Sequence, residues 1–169
     1  TIFMPTPDPI PVPYALGRPG IRRRLFCFPF DGAGASIFRE WPQDLPDDIH
    51  VFGIQLPGRE NRLGEVPIRR LQEAANTIAA ALSRYGDLPF ALFGHSSGAL
   101  LAFEVARTLR NFPHLSPTHL FVSGCRGPSV PEWDKPMHLL PDNALIQELR
   151  RLGGTPEGIL ANEELMQVM

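Results

Sequence analysis

Gly94-His95-Ser96-Ser97-Gly98 holds the residues best placed to do chemistry. A serine between two glycines at this spacing, G-x-S-x-G, suits a turn so tight that a side chain two positions before or after the serine would strike neighbouring backbone. The hydroxyl would stand exposed at the N-terminus of a following helix, whose dipole favours negative charge. The chemistry available to such a serine is covalent: it attacks an acyl carbonyl, the leaving group departs, and an acceptor frees the enzyme. A hydroxyl is a weak nucleophile at neutral pH, so it needs a base within hydrogen-bond reach and donors aimed at the oxyanion that forms. The N–H of Ser97, next after the nucleophile, is one candidate donor. The other must come from a loop after an earlier strand, and the glycine-rich run Phe30-Asp31-Gly32-Ala33-Gly34 occupies that place. Either Phe30 or Asp31 can present that N–H; position favours Asp31.

The base and its orienting acid are harder to find. In this arrangement the triad runs Ser, then Asp or Glu, then His along the chain. The histidines after Ser96 are His114, His119 and His138. His114 falls in a loop among prolines and His119 at the start of a strand, both at the end of the sheet away from the serine. His138 falls in a lid-like segment, a poor platform for a fixed base. Asp134 and Asp142 suit an exposed loop and a helix cap better than a triad, and His95, inside the turn, is placed to pack. The triad Asp and His are therefore expected outside this chain, on loops after further strands that would follow Met169. A sheet ending at Leu120–Ser123 would otherwise expose a long apolar edge.

The elements that must position the serine follow from the pattern of apolar residues. Strands are expected over 24–30, 51–56, 89–93 and 120–123, and the best amphipathic helix over 67–85. In that helix Ile68, Leu71, Ala75, Ile78, Leu82 and Tyr85 follow the 3.6-residue period, and Pro67 suits the first turn. A second helix is expected from Ala99 to Leu109, and a short helical turn near 37–41. Strands alternating with helices predict an α/β fold with a mostly parallel sheet and helices on both faces. Near-continuous apolar strands agree with burial of both faces. Residues 1–21 carry six prolines and cannot form a helix or a central strand. They are read as an extended or disordered leader, ahead of a domain spanning 22–169. From about 126 the chain becomes proline-rich. Asp142 is expected to cap a helix over 143–152 that Gly153-Gly154 stops, and Asn162 to cap another. This segment, about 126–169, reads as a helical lid.

Composition excludes several classes. With a net charge of −2 over 169 residues, neither nucleic acid nor an anionic membrane is expected as a partner. No apolar run approaches the roughly 20 residues of a transmembrane helix, and no signal peptide is evident. Cys27 and Cys125 are read as buried free thiols of a cytoplasmic protein, and their spacing gives no metal site.

Three stretches together resemble the type II thioesterases of polyketide and nonribosomal peptide biosynthesis, within the α/β-hydrolase fold: Phe28-Pro29-Phe30-Asp31-Gly32-Ala33-Gly34-Ala35-Ser36, Gln55-Leu56-Pro57-Gly58-Arg59-Glu60-Asn61-Arg62 and Phe93-Gly94-His95-Ser96-Ser97-Gly98-Ala99. Leu152-Gly153-Gly154-Thr155-Pro156 resembles the family's lid segment. The resemblance implies hydrolysis of acyl groups from the phosphopantetheine arm of an acyl or peptidyl carrier protein, in an editing role, with no cofactor of the enzyme's own. Two alternatives are a product-releasing domain of a larger synthase and a carrier-binding fragment without a triad. The family pattern departs at Asp31, Ala33 and Ser97. A carboxylate at 31 would oppose the oxyanion unless it points away or pairs, for instance with Arg59. Trp133, Met137, Leu139 and Leu140 are candidates to line an apolar chamber under the lid. Arg59 and Arg62 suit either a phosphate or carrier contact or a loop-anchoring ion pair, and Arg22-Arg23-Arg24 either an acidic carrier or a solvated strand entrance.

Overall fold

The computed structural model describes residues 10–14, 19–127, 129–130, 137–153, 155–162 and 166. The chain divides into two compact units, 1–125 and 126–169.

The first unit is built on a five-stranded sheet. Its strands are β1 (Ile10–Tyr14), β2 (Arg23–Phe28), β3 (Ile49–Gln55), β4 (Phe90–His95) and β5 (His119–Ser123), in the order β1-β3-β2-β4-β5. Strands β2 to β5 are parallel, and β1 alone is antiparallel, against β3. From β2 the chain moves to one side to make β3, then crosses to the other side of β2 to make β4. This reversal opens a crevice at the carboxyl ends of β2 and β4, where open α/β sheets bind ligands.

Part of the proline-rich leader is strand. Pro11 and Pro13 lie opposite Ile54 and Phe52. Being two residues apart, they share one side of the strand, so the missing N–H groups fall on the outer edge while Ile10, Val12 and Tyr14 keep theirs for β3. An edge strand is where prolines are tolerated. The alternation that excludes a central strand permits this one.

Period-two alternation divides the core into two faces. Phe26, Phe28, Phe52, Ile54, Phe90 and Leu92 pack against helices α1 (Leu71–Leu82) and α2 (Ser97–Leu109). Leu25, Cys27 and Val51 face the other way, against Phe38, Trp41 and Leu45. Helices were expected on both faces, but among the described residues this second face is covered by 3-10 turns at Ala35–Phe38 and Trp41–Gln43. Pro42 and Pro46 interrupt that segment, which leaves no room for a long helix. Gly53 lets the turn settle on the sheet: a Cβ there would lie 2.8 Å from the Ala35 Cβ.

Helix α1 starts later than its apolar period suggests. Pro67 does not open it; its ring packs where a Cβ on Gly58 would lie, 2.6 Å from Cγ. Residues 66–70 approach without regular structure and Ile68 still reaches the core. Ser83–Tyr85 closes the helix as a 3-10 turn.

In the second unit, α3 (Asp142–Leu152) begins at Asp142 itself, after Pro141, and ends at Gly153 in the left-handed conformation (φ 71°). That is the conformation a glycine stop supplies. A four-residue helix α4 (Glu157–Leu160) follows, and Arg150 donates to the Glu157 carboxylate at 2.8 Å. Asp134, Trp133 and the proposed first turn after Asn162 lie outside the described residues.

Candidate active site

The G-x-S-x-G segment is the turn between β4 and α2. Ser96 has φ 54° and ψ −124°. A positive φ in a non-glycine residue costs about 1–3 kcal/mol and persists only where the surroundings impose it. Both glycines are sterically required. A Cβ on Gly94 would stand 2.2 Å from the Gly98 carbonyl oxygen, and one on Gly98 would stand 2.3 Å from that of Phe28. The helix thus presses against the end of β2, which holds the serine above the carboxyl edge of the sheet. The Ser96 N–H donates to the Ser123 carbonyl at 2.8 Å, fixing the turn to the end of β5.

The loop after β2 meets this turn. Phe30–Ala33 is a hydrogen-bonded turn in which the Ala33 N–H donates to the Phe30 carbonyl at 3.1 Å. Gly32 has φ 80°, at the position type II turns reserve for glycine. The N–H of Asp31, second in the turn, has no acceptor among the described residues. Ser97 is the first residue of α2, so its N–H has no intrahelical acceptor. Asp31 and Ser97 line one cavity of about 230 Å³ together with Pro29, Phe30 and Gly98. The two residues expected to supply oxyanion donors are therefore brought together. The Asp31 carboxylate is exposed and makes no ion pair with Arg59 or any other described residue.

Two polar side chains pin this loop; both fall in the stretch 55–62 that carries the family resemblance, but the sequence assigned neither a role. Gln55, the last residue of β3, is 1% exposed. Its Oε1 accepts the Ala35 N–H at 2.6 Å, and its Nε2 donates to the Arg59 carbonyl at 2.9 Å and the Asn61 Oδ1 at 3.1 Å. Glu60 folds over Gly34, where a Cβ would stand 2.3 Å from its Cδ, and accepts the Ser36 hydroxyl. Glu60 pays for this with a positive φ of 45°. A glutamine closing an otherwise apolar strand was the available signal.

Arg62 is an anchor. It is 7% exposed, grips Glu65 with two donors at 2.8 and 2.6 Å, and donates to the Gln55 carbonyl at 2.8 Å. That pairing holds the Glu65 carboxyl below its ordinary range. Arg59 instead lines the cavity. Arg24 lies at the opposite end of the sheet, bound to Asp87 and to the Tyr85 carbonyl, and Arg23 faces Asp48.

Within the first unit, no described histidine hydrogen-bonds Ser96. His95 is held by Ser123 Oγ at 3.1 Å and by the edge of the Phe30 ring, and Gly124 makes room for it. His119 starts β5 and stacks on Phe121, and His114 lies in the loop after α2 with φ 65°. His138 falls in a short 3-10 turn of the second unit. Asp142 opens α3. Ser96 Oγ has no hydrogen-bond partner among the described residues. Cys27 is buried, as expected, whereas Cys125, two residues after β5, is exposed among the described residues. Burial raises the Cys27 pKa far above its usual value.

A strained serine on a strand–turn–helix, at the switch point of a mostly parallel sheet, defines a unit of the α/β-hydrolase type. The chain belongs to the thioesterase domain family, whose model matches residues 23–169. It is 49% identical over 146 residues to the gramicidin S biosynthesis protein GrsT of Aneurinibacillus migulanus, covering 86% of this chain and 57% of that protein. It is 38% identical over 149 residues to the thioesterase PikA5 of Streptomyces venezuelae, covering 86% and 52%. Among solved structures, RedJ, a thioesterase of the prodiginine pathway in Streptomyces coelicolor, superposes with a TM-score of 0.73 at 46% identity, covering 79% of this chain and 50% of that one. The chain thus spans about half the length of the relatives it matches. No helix among the described residues is long and apolar enough to cross a membrane.

Proposed function

We propose that this chain supplies the nucleophile and oxyanion hole of a thioesterase that hydrolyses acyl groups carried as thioesters on the phosphopantetheine arm of an acyl or peptidyl carrier protein. Ser96 Oγ attacks the thioester carbonyl carbon, the N–H groups of Ser97 and Asp31 receive the oxyanion, and the C–S bond breaks to release the thiol. Water then attacks the acyl-serine ester and frees the acid. The proton of Ser96 passes to a base that the described residues do not place beside Oγ. Our reading assigns the triad Asp and His to loops after further strands, as the order Ser, then Asp or Glu, then His along the chain implies. The protein's role is editing, the removal of stalled or wrong acyl groups in polyketide or nonribosomal peptide synthesis, in the cytoplasm. The enzyme needs no cofactor of its own.

The observation that carries this reading is the strained Ser96 beside a cavity shared by Asp31 and Ser97. The test is turnover of an acyl thioester by the whole protein. Hydrolysis is expected to vanish in Ser96→Ala, and turnover that survives the substitution would end the assignment.

A further inference from the structure

His95 stands where three strand ends meet. It closes β4, opposite Ser123 at the end of β5, and the loop after β2 reaches it from the other side. Its Nδ1 lies 3.1 Å from Ser123 Oγ. Its ring lies 5.9 Å from that of Phe30 at an interplanar angle of 84°, the edge-to-face arrangement in which aromatic rings attract. Gly124, with φ 62°, leaves the space that the ring fills: a Cβ there would stand 2.5 Å from His95 Cε1. Among the described residues His95 is exposed, and an exposed side chain left to itself changes rotamer freely. This one is held by a hydroxyl, a ring and a glycine that belong to the ends of two different strands.

What the ring holds is one peptide group. The Phe30 carbonyl and the Asp31 N–H belong to the same planar trans unit, so they point in opposite directions. The carbonyl accepts the Ala33 N–H at 3.1 Å, which directs the Asp31 N–H out of the turn. Gln55 and Glu60 pin the far end of this loop, at Ala35 and Ser36, and neither touches Phe30. Phe30 is itself 38% exposed, so burial alone fixes it weakly, and the contact with His95 restrains it. On its other side His95 runs into the nucleophile turn. Ser96, the next residue, donates its N–H to the Ser123 carbonyl at 2.8 Å. Residues 95 and 96 thus both anchor on Ser123, one through its side chain and one through its backbone.

We propose that His95 is a positioning residue: its ring ties the peptide that carries the Asp31 N–H to the end of β5, and so sets that N–H against the N–H of Ser97. It touches neither substrate nor the reacting atoms and acts through Phe30. The proposal rests on the reading of Ser96 as nucleophile and of Asp31 and Ser97 as oxyanion donors.

The test uses the whole protein with a butyryl thioester and with p-nitrophenyl butyrate, an oxygen ester of the same acid. His95→Ala is expected to lower kcat about 10- to 100-fold on both, as a displaced oxyanion donor would, with KM within about twofold. Inhibition by an alkyl trifluoromethyl ketone, whose serine adduct carries an oxyanion, should weaken by the factor that kcat/KM loses. A purely structural role would not link those two numbers. Phe30→Ala added to His95→Ala should cost no more than about a further twofold, because both remove one contact. Two milder variants cover the case in which His95→Ala melts. Ser123→Ala deletes one exposed hydroxyl, and His95→Phe keeps a ring beside Phe30 without the hydrogen bond. Each should lower kcat about 2- to 10-fold with thermal melting little changed. Ser96-dependent hydrolysis of the ester without thioester turnover would contradict the thioesterase reading alone, since the His95 effect is read equally on the ester. Unchanged kcat and inhibition in His95→Ala would overturn the role of His95. So would a loss that multiplies with that of Phe30→Ala, or one that follows melting and is absent from both milder variants.

Discussion

Replacing Gln55 with leucine should loosen the oxyanion loop without altering any residue that touches the reacting atoms. Leucine has similar bulk, so the core stays filled, but three hydrogen bonds disappear. The Ala35 N–H and the Arg59 carbonyl lose the partners that hold them at 2.6 and 2.9 Å, while Asn61 is exposed and turns to water. A buried polar group left without a partner costs about 1–3 kcal/mol, and two such groups, one only partly buried, give about 2–4 kcal/mol. At about 2–4 °C per kcal/mol for a chain of this size, Tm should fall by about 5–15 °C. Catalysis should suffer separately, because the loop carrying the Asp31 N–H is then tethered mainly through Glu60 and Ser36. A displacement of about 1 Å at a catalytic group costs about 100-fold, and loss of one oxyanion donor costs about 100- to 1000-fold in kcat. Thermal melting and thioester hydrolysis by the whole protein read the two effects, with KM little changed. A Tm within about 2 °C of the unaltered protein together with unchanged kcat would refute the claim that Gln55 positions the loop.

Gly98→Ala should destabilise the protein by about 1–3 kcal/mol or more and abolish turnover, because the new Cβ meets the Phe28 carbonyl and α2 must shift; denaturant melts and kinetics check both. Asp31→Asn removes a negative charge beside the forming oxyanion, so kcat should rise, by at most about tenfold since the carboxylate is solvated. A large fall would show that the carboxylate itself assists. His50 rests against Phe52 with Nε2 unpartnered, and burial, then the Arg24 charge, lower its pKa below 6.5. The unfolded chain therefore takes up this proton first. The contribution to stability is complete above pH 6.5 and is lost as pH falls through the folded-state value. Urea midpoints should drop over that window, and less so in His50→Gln.

Local rules made much of this molecule legible. Strands β2 and β3 declare themselves because both faces are buried, and the serine turn because its two glycines answer to specific carbonyl groups. The pairing of Asp31 with Ser97 follows from one topological fact, that loops after β2 and β4 meet at the switch point. What stayed hidden depends on contacts distant in sequence. Gln55 acquires its role only when Ala35 lies over it, and Glu60 only when Gly34 lies under it. Pro67 reads as a helix start until Gly58 is found beneath its ring. The prolines of β1 argue against a strand until their spacing is matched to the outer edge. Of the 3-10 cover of the second sheet face, only a short helical turn near 37–41 was legible, because turns this short carry no apolar period.

The central claim is that Ser96 carries the acyl group. The whole protein, mixed with an acyl thioester, quenched in acid and digested, should show one acyl group on the peptide containing Ser96, and none in Ser96→Ala. An acyl group on another residue, or turnover that proceeds without Ser96, would contradict the account.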